Sequence, residues 1–247
     1  MKSISNYTPT ELTLKKQNDG LQEEWRELIV KTNPELADHF VVDGFYPHYT
    51  EQNLRILYIA KESLGLAGCN YNDVLLDAYR EGVVGDRPLN TYKFHAIMLY
   101  VAYGLLHGCP DYDSLPTAVE IGKGLGTASG ISFAHMNISK LSNESDNWQA
   151  DNALINQFLD ITSQYKENLW AKQIALLNPD VIIGMNLGGW YERIGKVSDF
   201  RHLGPVCLQK LTTAYGAYKL IDAYHFAAIN RWKEDNYDPI MAAFRAS

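Results

Sequence analysis

The sequence predicts an α/β fold: a three-layer α/β/α sandwich around a central, mainly parallel four-stranded sheet. Three observations carry this expectation. Short, almost wholly apolar runs rich in β-branched and aromatic residues recur along the chain, as strands covered on both faces require. Longer stretches with helical spacing of apolar residues separate them, and such alternation implies parallel pairing through right-handed crossovers. Finally, 247 residues, 46% of them hydrophobic and 12% aromatic, suffice for one full core. A single domain over 1–247 is expected, with a peripheral helical segment at 1–50 and a core at 54–232.

The elements follow in order. Leu21 to Thr32 (LQEEWRELIVKT) sets Leu21, Trp25, Leu28 and Ile29 on one helical face, and NPELADHF after it reads as a turn with Asn33 as cap and Pro34 in the first helical position. Both are expected to wrap the core. LRILYIA, Leu54 to Ala60, is the first strand. Thr91 to Gly108 is a helix apolar nearly all round, hence central, ended by Gly108 and Pro110. GISFAHMNIS (Gly130 to Ser139) is the second strand, Asn152 to Asn178 one long or two shorter helices, PDVIIGMN (Pro179 to Asn186) the third strand and YKLIDAYHFA (Tyr218 to Ala227) the fourth. DPIMAAFRA closes the chain as a helix with Asp238 as cap and Pro239 behind it.

Composition narrows the function classes. A formal charge of −7 argues against a surface that grips nucleic acid by broad phosphate neutralisation, although a local basic patch is compatible with it. Cys69, Cys109 and Cys207 form no CxxC pair and fit reduced thiols of a cytoplasmic protein. The histidines show no HxH or HxxxH spacing, so neither a metal nor a cofactor is expected. The opening residues lack the apolar core of a signal peptide, and Phe94 to Pro110 is short for a membrane span. GKGLGTASG (Gly122 to Gly130) precedes a strand rather than following one and meets neither the dinucleotide nor the phosphate-loop pattern, so it reads as a flexible connection or a lid.

In an open α/β sheet the ligand site lies beyond the carboxyl ends of the strands. The runs end in Lys61, Glu62 and Ser63; in Asn137, Ser139 and Lys140; in Asn186; and in Asp222, Tyr224 and His225. A carboxylate, an amide, an ammonium and an imidazole are thereby expected on one rim. Taken singly each has an ordinary reading: Glu62 as a helix cap or partner of Lys61, Asn137 bonding its own turn, His225 as a satisfied core histidine.

In these strand-end motifs the chain resembles the uracil-DNA glycosylase superfamily over about residues 54–232. AKES (Ala60 to Ser63) stands where the family has Gly-x-(Asp/Asn)-Pro, NISK matches Asn-x-x-Lys at Asn137 and Lys140, NPDVIIGMN matches its Pro-x-Val-Ile-x-x-Gly strand, and YHFA carries His225 at the family's histidine. Ala60 and Ser63 replace the glycine and proline, and Phe226-Ala227 the Pro-Ser, of those motifs. The resemblance implies hydrolysis of the N-glycosidic bond of a flipped, deaminated base, with DNA or a nucleotide as partner. It assigns Glu62 to orient water and stabilise oxocarbenium-like charge, Asn137 to read a base edge, and His225 to donate to the carbonyl oxygen where charge collects. Ser63 and Lys140 fall within the same substrate-binding motifs, Phe133 and Tyr71 are candidates to stack on the base, and Arg231, Trp232 and Lys233 to touch phosphate. Two other readings stand beside it: a non-catalytic nucleotide- or small-ligand-binding protein of the same fold, and an acyl hydrolase with Ser63, His225 and Asp222, for which Lys61 occupies the place of the required glycine.

Overall fold

The computed structural model describes residues 7–146, 149–229, 231 and 235–247; Trp232 and Lys233 lie outside the described residues. Seven strands form the main sheet: β1 (Gly44–Phe45), β2 (Ile56–Ala60), β3 (Ala134–Asn137), β4 (Val181–Met185), β5 (Lys196–Leu203), β6 (Val206–Thr213) and β7 (Gly216–Ala223). Their spatial order is β1-β3-β2-β4-β7-β6-β5. β3, β2, β4 and β7 run parallel; β1 pairs antiparallel with β3 at one edge, and at the other β6 pairs antiparallel with both β7 and β5. The expected mainly parallel four-stranded sheet is therefore corrected to a seven-stranded mixed one.

Alternation along the parallel strands sends side chains into two separate cores. Ile56, Tyr58 and Ala60 of β2 join Ile183 and Ile221 on one face. Leu57 and Ile59 join Ile182 and Leu220 on the other. Helices α2 (Tyr71–Glu81), α3 (Lys93–Leu106), α4 (Ala118–Lys123) and α7 (Tyr237–Arg245) cover the first face through Leu75, Ile97, Ile121 and Ile240. Helices α1 (Pro9–Thr32), α5 (Asn152–Ser163) and α6 (Leu169–Leu177) cover the second through Trp25, Phe158 and Ile174. With roughly 1.5–3 kcal/mol for each large apolar side chain taken fully from water, these two interfaces supply the main driving force.

Several boundaries differ from expectation for local reasons. The first helix begins at Pro9, where Thr8 and Glu11 form a reciprocal capping box, and it continues through Gly20 to Thr32. It is no mere wrapping: Trp25 and Ile29 are wholly buried, and β1 brings the same segment into the sheet. Asn33 stands at the cap of the 3₁₀ turn Pro34–His39 with Pro34 in first position, as expected, but its side chain makes no capping bond and donates to Glu35 instead. The helix α2 has a legible signature, Asn70 capping the amides of Asn72 and Asp73 and Gly82 closing it at positive φ. The stretch Asn152 to Asn178 divides into two helices, and the last helix is entered from Asn236, with Asp238 in its first turn rather than as its cap.

Gly122 to Gly130 forms a tight, packed connection, not a lid. Leu125 is wholly buried, and a Cβ on Gly130 would fall 1.7 Å from the Gly124 carbonyl oxygen. At the far edge, β5 is largely exposed, carries Lys196, Asp199 and Arg201, and is disturbed by a register shift against Leu208 and Lys210, with Asp199 at φ 58°. A charged, bulged edge resists pairing with another chain.

Candidate functional site at the carboxyl edge of the sheet

Register brings the strand ends level. Asn137 of β3 lies opposite Ala60 of β2, Ile59 lies opposite Gly184 of β4, and Gly184 opposite Asp222 of β7. Because these strands are parallel, Glu62 after β2, Asn137 at the end of β3 and His225 after β7 stand at one edge. β2 and β7 are separated by β4 alone, so their backbones are roughly 10 Å apart, two strand spacings. The pairing of β2 with β3 continues past the strands, with the Ile138 amide on the Ala60 carbonyl, the Ser139 amide on that of Lys61, and a short ladder of Ser63–Leu64 with Ser142–Asn143.

Glu62 is partly buried. Its Oε1 accepts from the Asp151 amide at 2.7 Å and from Asn143 Nδ2 at 3.2 Å, while its buried Oε2 has no hydrogen-bond partner among the described residues. Burial raises its pKa, against the pull of those two hydrogen bonds and of Lys61. Ser63 is buried and its hydroxyl is likewise without a partner. Asn137 is buried, its amide nitrogen in the backbone donates to Asp43, and its Oδ1 is unpartnered.

His225 lies against Phe94, ring centroids 5.3 Å apart and planes 26° from parallel. Its Nδ1 accepts from the Ala227 amide at 3.3 Å. Burial, aided by Lys61, lowers its pKa to about 4, so at neutral pH the ring is uncharged with its proton on Nε2. Cations surround this loop: Lys61 Nζ sits 5.6 Å over the Trp190 ring, Lys93 Nζ donates to the Ala228 carbonyl at 2.6 Å, and the Arg231 guanidinium lies 4.2 Å over Tyr224. Lys93 carried no signal in the sequence beyond opening a helix; the fold alone brings it here.

Other expected site residues are placed differently. Lys140, expected on the rim, is 1% exposed and donates to both Asp43 oxygens at 2.7 Å and to Gln173 at 3.0 Å, with the Trp25 ring beside it. Phe133 is wholly buried, edge-on to Tyr46 and Tyr58, and so offers no open face for stacking. Tyr71 is buried and lies flat on His135, centroids 4.1 Å apart and planes 7° from parallel. Asp222 accepts from the Tyr191 hydroxyl at 2.6 Å and the Asn186 amide at 3.2 Å. Since His225 Nδ1 is itself an acceptor, it has no proton to offer Asp222, and a Ser63–His225–Asp222 relay is not assembled.

A groove of about 520 Å³ lies elsewhere, lined by Gln17, Gly20 and Glu24 of α1, Lys172 and Leu176 of α6, and Tyr215. Tyr215 precedes β7, whereas His225 follows it, so this groove faces the opposite end of the strand. Among the described residues, no group of three His, Cys, Asp or Glu side chains gathers to hold a metal ion, and no helix is long and apolar enough to cross a membrane. Comparison with protein families, with curated proteins and with solved structures returned no match.

Proposed function

We propose that this protein hydrolyses the N-glycosidic bond of a deaminated base in DNA or a nucleotide, in the manner of the uracil-DNA glycosylases it resembles. The observation that carries the reading is the shared strand-end edge of Glu62, Asn137 and His225, with the unpartnered Glu62 Oε2 and Asn137 Oδ1 among them. Glu62 in its ionised form orients water and offsets positive charge building on the sugar. The neutral His225 donates from Nε2 to the base oxygen as negative charge collects there. Asn137 accepts from a ring N–H through Oδ1. Lys61, Lys93 and Arg231 supply the local positive field that the overall charge of −7 lacks.

The test is release of free base from oligonucleotides carrying uracil, hypoxanthine or xanthine. Release by the parent, reduced at least 10²-fold in Glu62→Gln, is the expected result for a residue in a water-activating role. No release across the panel removes the hydrolase reading.

One observation favours a binding protein on the same site. Glu62 Oε1 already holds the Asp151 amide, which opens α5, and Asn143, so the carboxylate also serves the architecture. Thermal shift with nucleosides or single-stranded DNA, without turnover, would identify that case.

A further inference from the structure

Of the cations at the carboxyl edge, Lys61 has the most central place. Ile59 and Asp222 both lie opposite Gly184, so β2 and β7 leave the sheet on either side of β4, roughly 10 Å apart, two strand spacings. Lys61 follows β2 directly, His225 comes just after β7, and Trp190 lies in the 3₁₀ turn Gly188–Arg193 that follows β4. Lys61 Nζ stands 5.6 Å over the Trp190 ring, so the ammonium has crossed from the exit of β2 to that of β4, toward His225. Burial raises the Glu62 pKa and lowers that of His225, and the Lys61 charge acts downward on both, which sets the ammonium within electrostatic reach of each.

The cation is open to an anion. Lys15, Arg55, Lys140 and Lys172 each pair with a carboxylate, whereas Lys61 joins no ion pair among the described residues. Lys61, Glu62, Trp190 and His225 are all partly exposed, so a ligand reaches them without displacing a buried side chain. The Trp190 indole N–H donates to Asn156 Oδ1 at 3.1 Å, which fixes the ring on which the ammonium rests.

We propose that Lys61 is the anion-binding residue of the strand-end site: with His225 it takes the negative charge of the departing base, held over the end of β4. The role rests on the hydrolase reading above. In that step the C1′–N bond breaks and its electron pair passes to the base, while a water oxygen bonds C1′ and its proton goes to Glu62; the base leaves as an anion. Neutral His225 offers that anion a hydrogen bond but no charge. The ammonium supplies the charge, and beside partly buried protein its attraction exceeds the value in bulk water.

The experiment is calorimetric titration of the full chain at pH 7.5 with 5-nitrouracil, an anion there, and with uracil, which is neutral. The parent should bind the anion about tenfold or more tightly than uracil, Lys61→Met should erase that preference while melting with the parent, and Lys61→Arg should keep most of it. A second arm measures release from oligonucleotides carrying uracil or 5-fluorouracil, the latter a better leaving group that needs less stabilisation. Lys61→Met should slow uracil release about tenfold more than 5-fluorouracil release. No anion preference in the parent, or a preference that survives Lys61→Met, overturns the proposal, as does release that Lys61→Met slows equally for both bases. A Lys61-dependent anion preference without release from either oligonucleotide supports the anion site and overturns the hydrolase reading alone.

Discussion

Lys140 Nζ lies 2.7 Å from both carboxylate oxygens of Asp43, and neither side chain has more than 1% of its surface exposed. Burial pushes the Lys140 pKa down while Asp43 supports the charge, and Gln173, Gln22 and Asn18 complete the network that ties β1 and β3 to α1 and α6. Lys140→Ala leaves the Asp43 carboxylate buried and unpaired. A loss of about 3–5 kcal/mol is expected, measured by urea unfolding. Loss below about 1 kcal/mol would show that water reaches the carboxylate.

The glycine of β4 admits Tyr191 to the sheet. A Cβ on Gly184 would lie 1.6 Å from the Tyr191 hydroxyl and 3.1 Å from Asp222 Oδ1. Gly184→Ala should displace Tyr191 and break its bond to Asp222, costing about 1–3 kcal/mol or more by overpacking. Tyr191→Phe in the same background should recover part of that loss in thermal melts, since the clashing oxygen is gone.

Acid should destabilise the fold through its buried histidines. Burial lowers the pKa of His95 and His135 to about 3 and of His225 to about 4, from an unfolded value of 6.5. Between 6.5 and 4 the unfolded chain binds protons that the native state refuses, so stability is full above 6.5 and falls with pH through this window. Three such sites set a slope of at most about 4 kcal/mol per pH unit. Urea unfolding at pH 7.0 and 5.0 measures it, and His135→Phe should reduce the slope by about a third.

Glu62 has the opposite sign. Its raised pKa means the native state takes up its proton more readily than the unfolded chain, so its contribution to stability declines as pH rises from 4.5 through the raised value. Glu62→Gln, whose amide oxygen can still accept from Asp151 and Asn143, should melt at or above the parent at pH 7–8, with the difference closing toward pH 4. A variant that melts markedly lower at pH 8 would show that the ionised form is what holds the Asp151 loop.

The alternating pattern of strands and helices was plain in the chain because burial on both faces demands unbroken apolar runs, and the four strands read from LRILYIA, GISFAHMNIS, PDVIIGMN and YKLIDAYHFA all lie side by side. β5 and β6 were not legible, since a solvent-facing hairpin mixes polar residues into its strands. Glu62, Asn137 and His225 were legible as strand-end residues, because a polar group after a buried strand has to meet a crevice, a partner or water.

What the sequence determined by itself is therefore which residues can stand at the carboxyl edge. Tertiary structure decided which of them are already occupied, Lys140 by Asp43 and Asp222 by Tyr191, and which expected stacking rings are packed away from that edge or against another ring, Phe133 ahead of its strand among aromatic neighbours and Tyr71 on His135. Local pattern records burial and chain direction, but hydrogen-bond partners come from residues tens of positions away, and only folding brings them within 3 Å of one another.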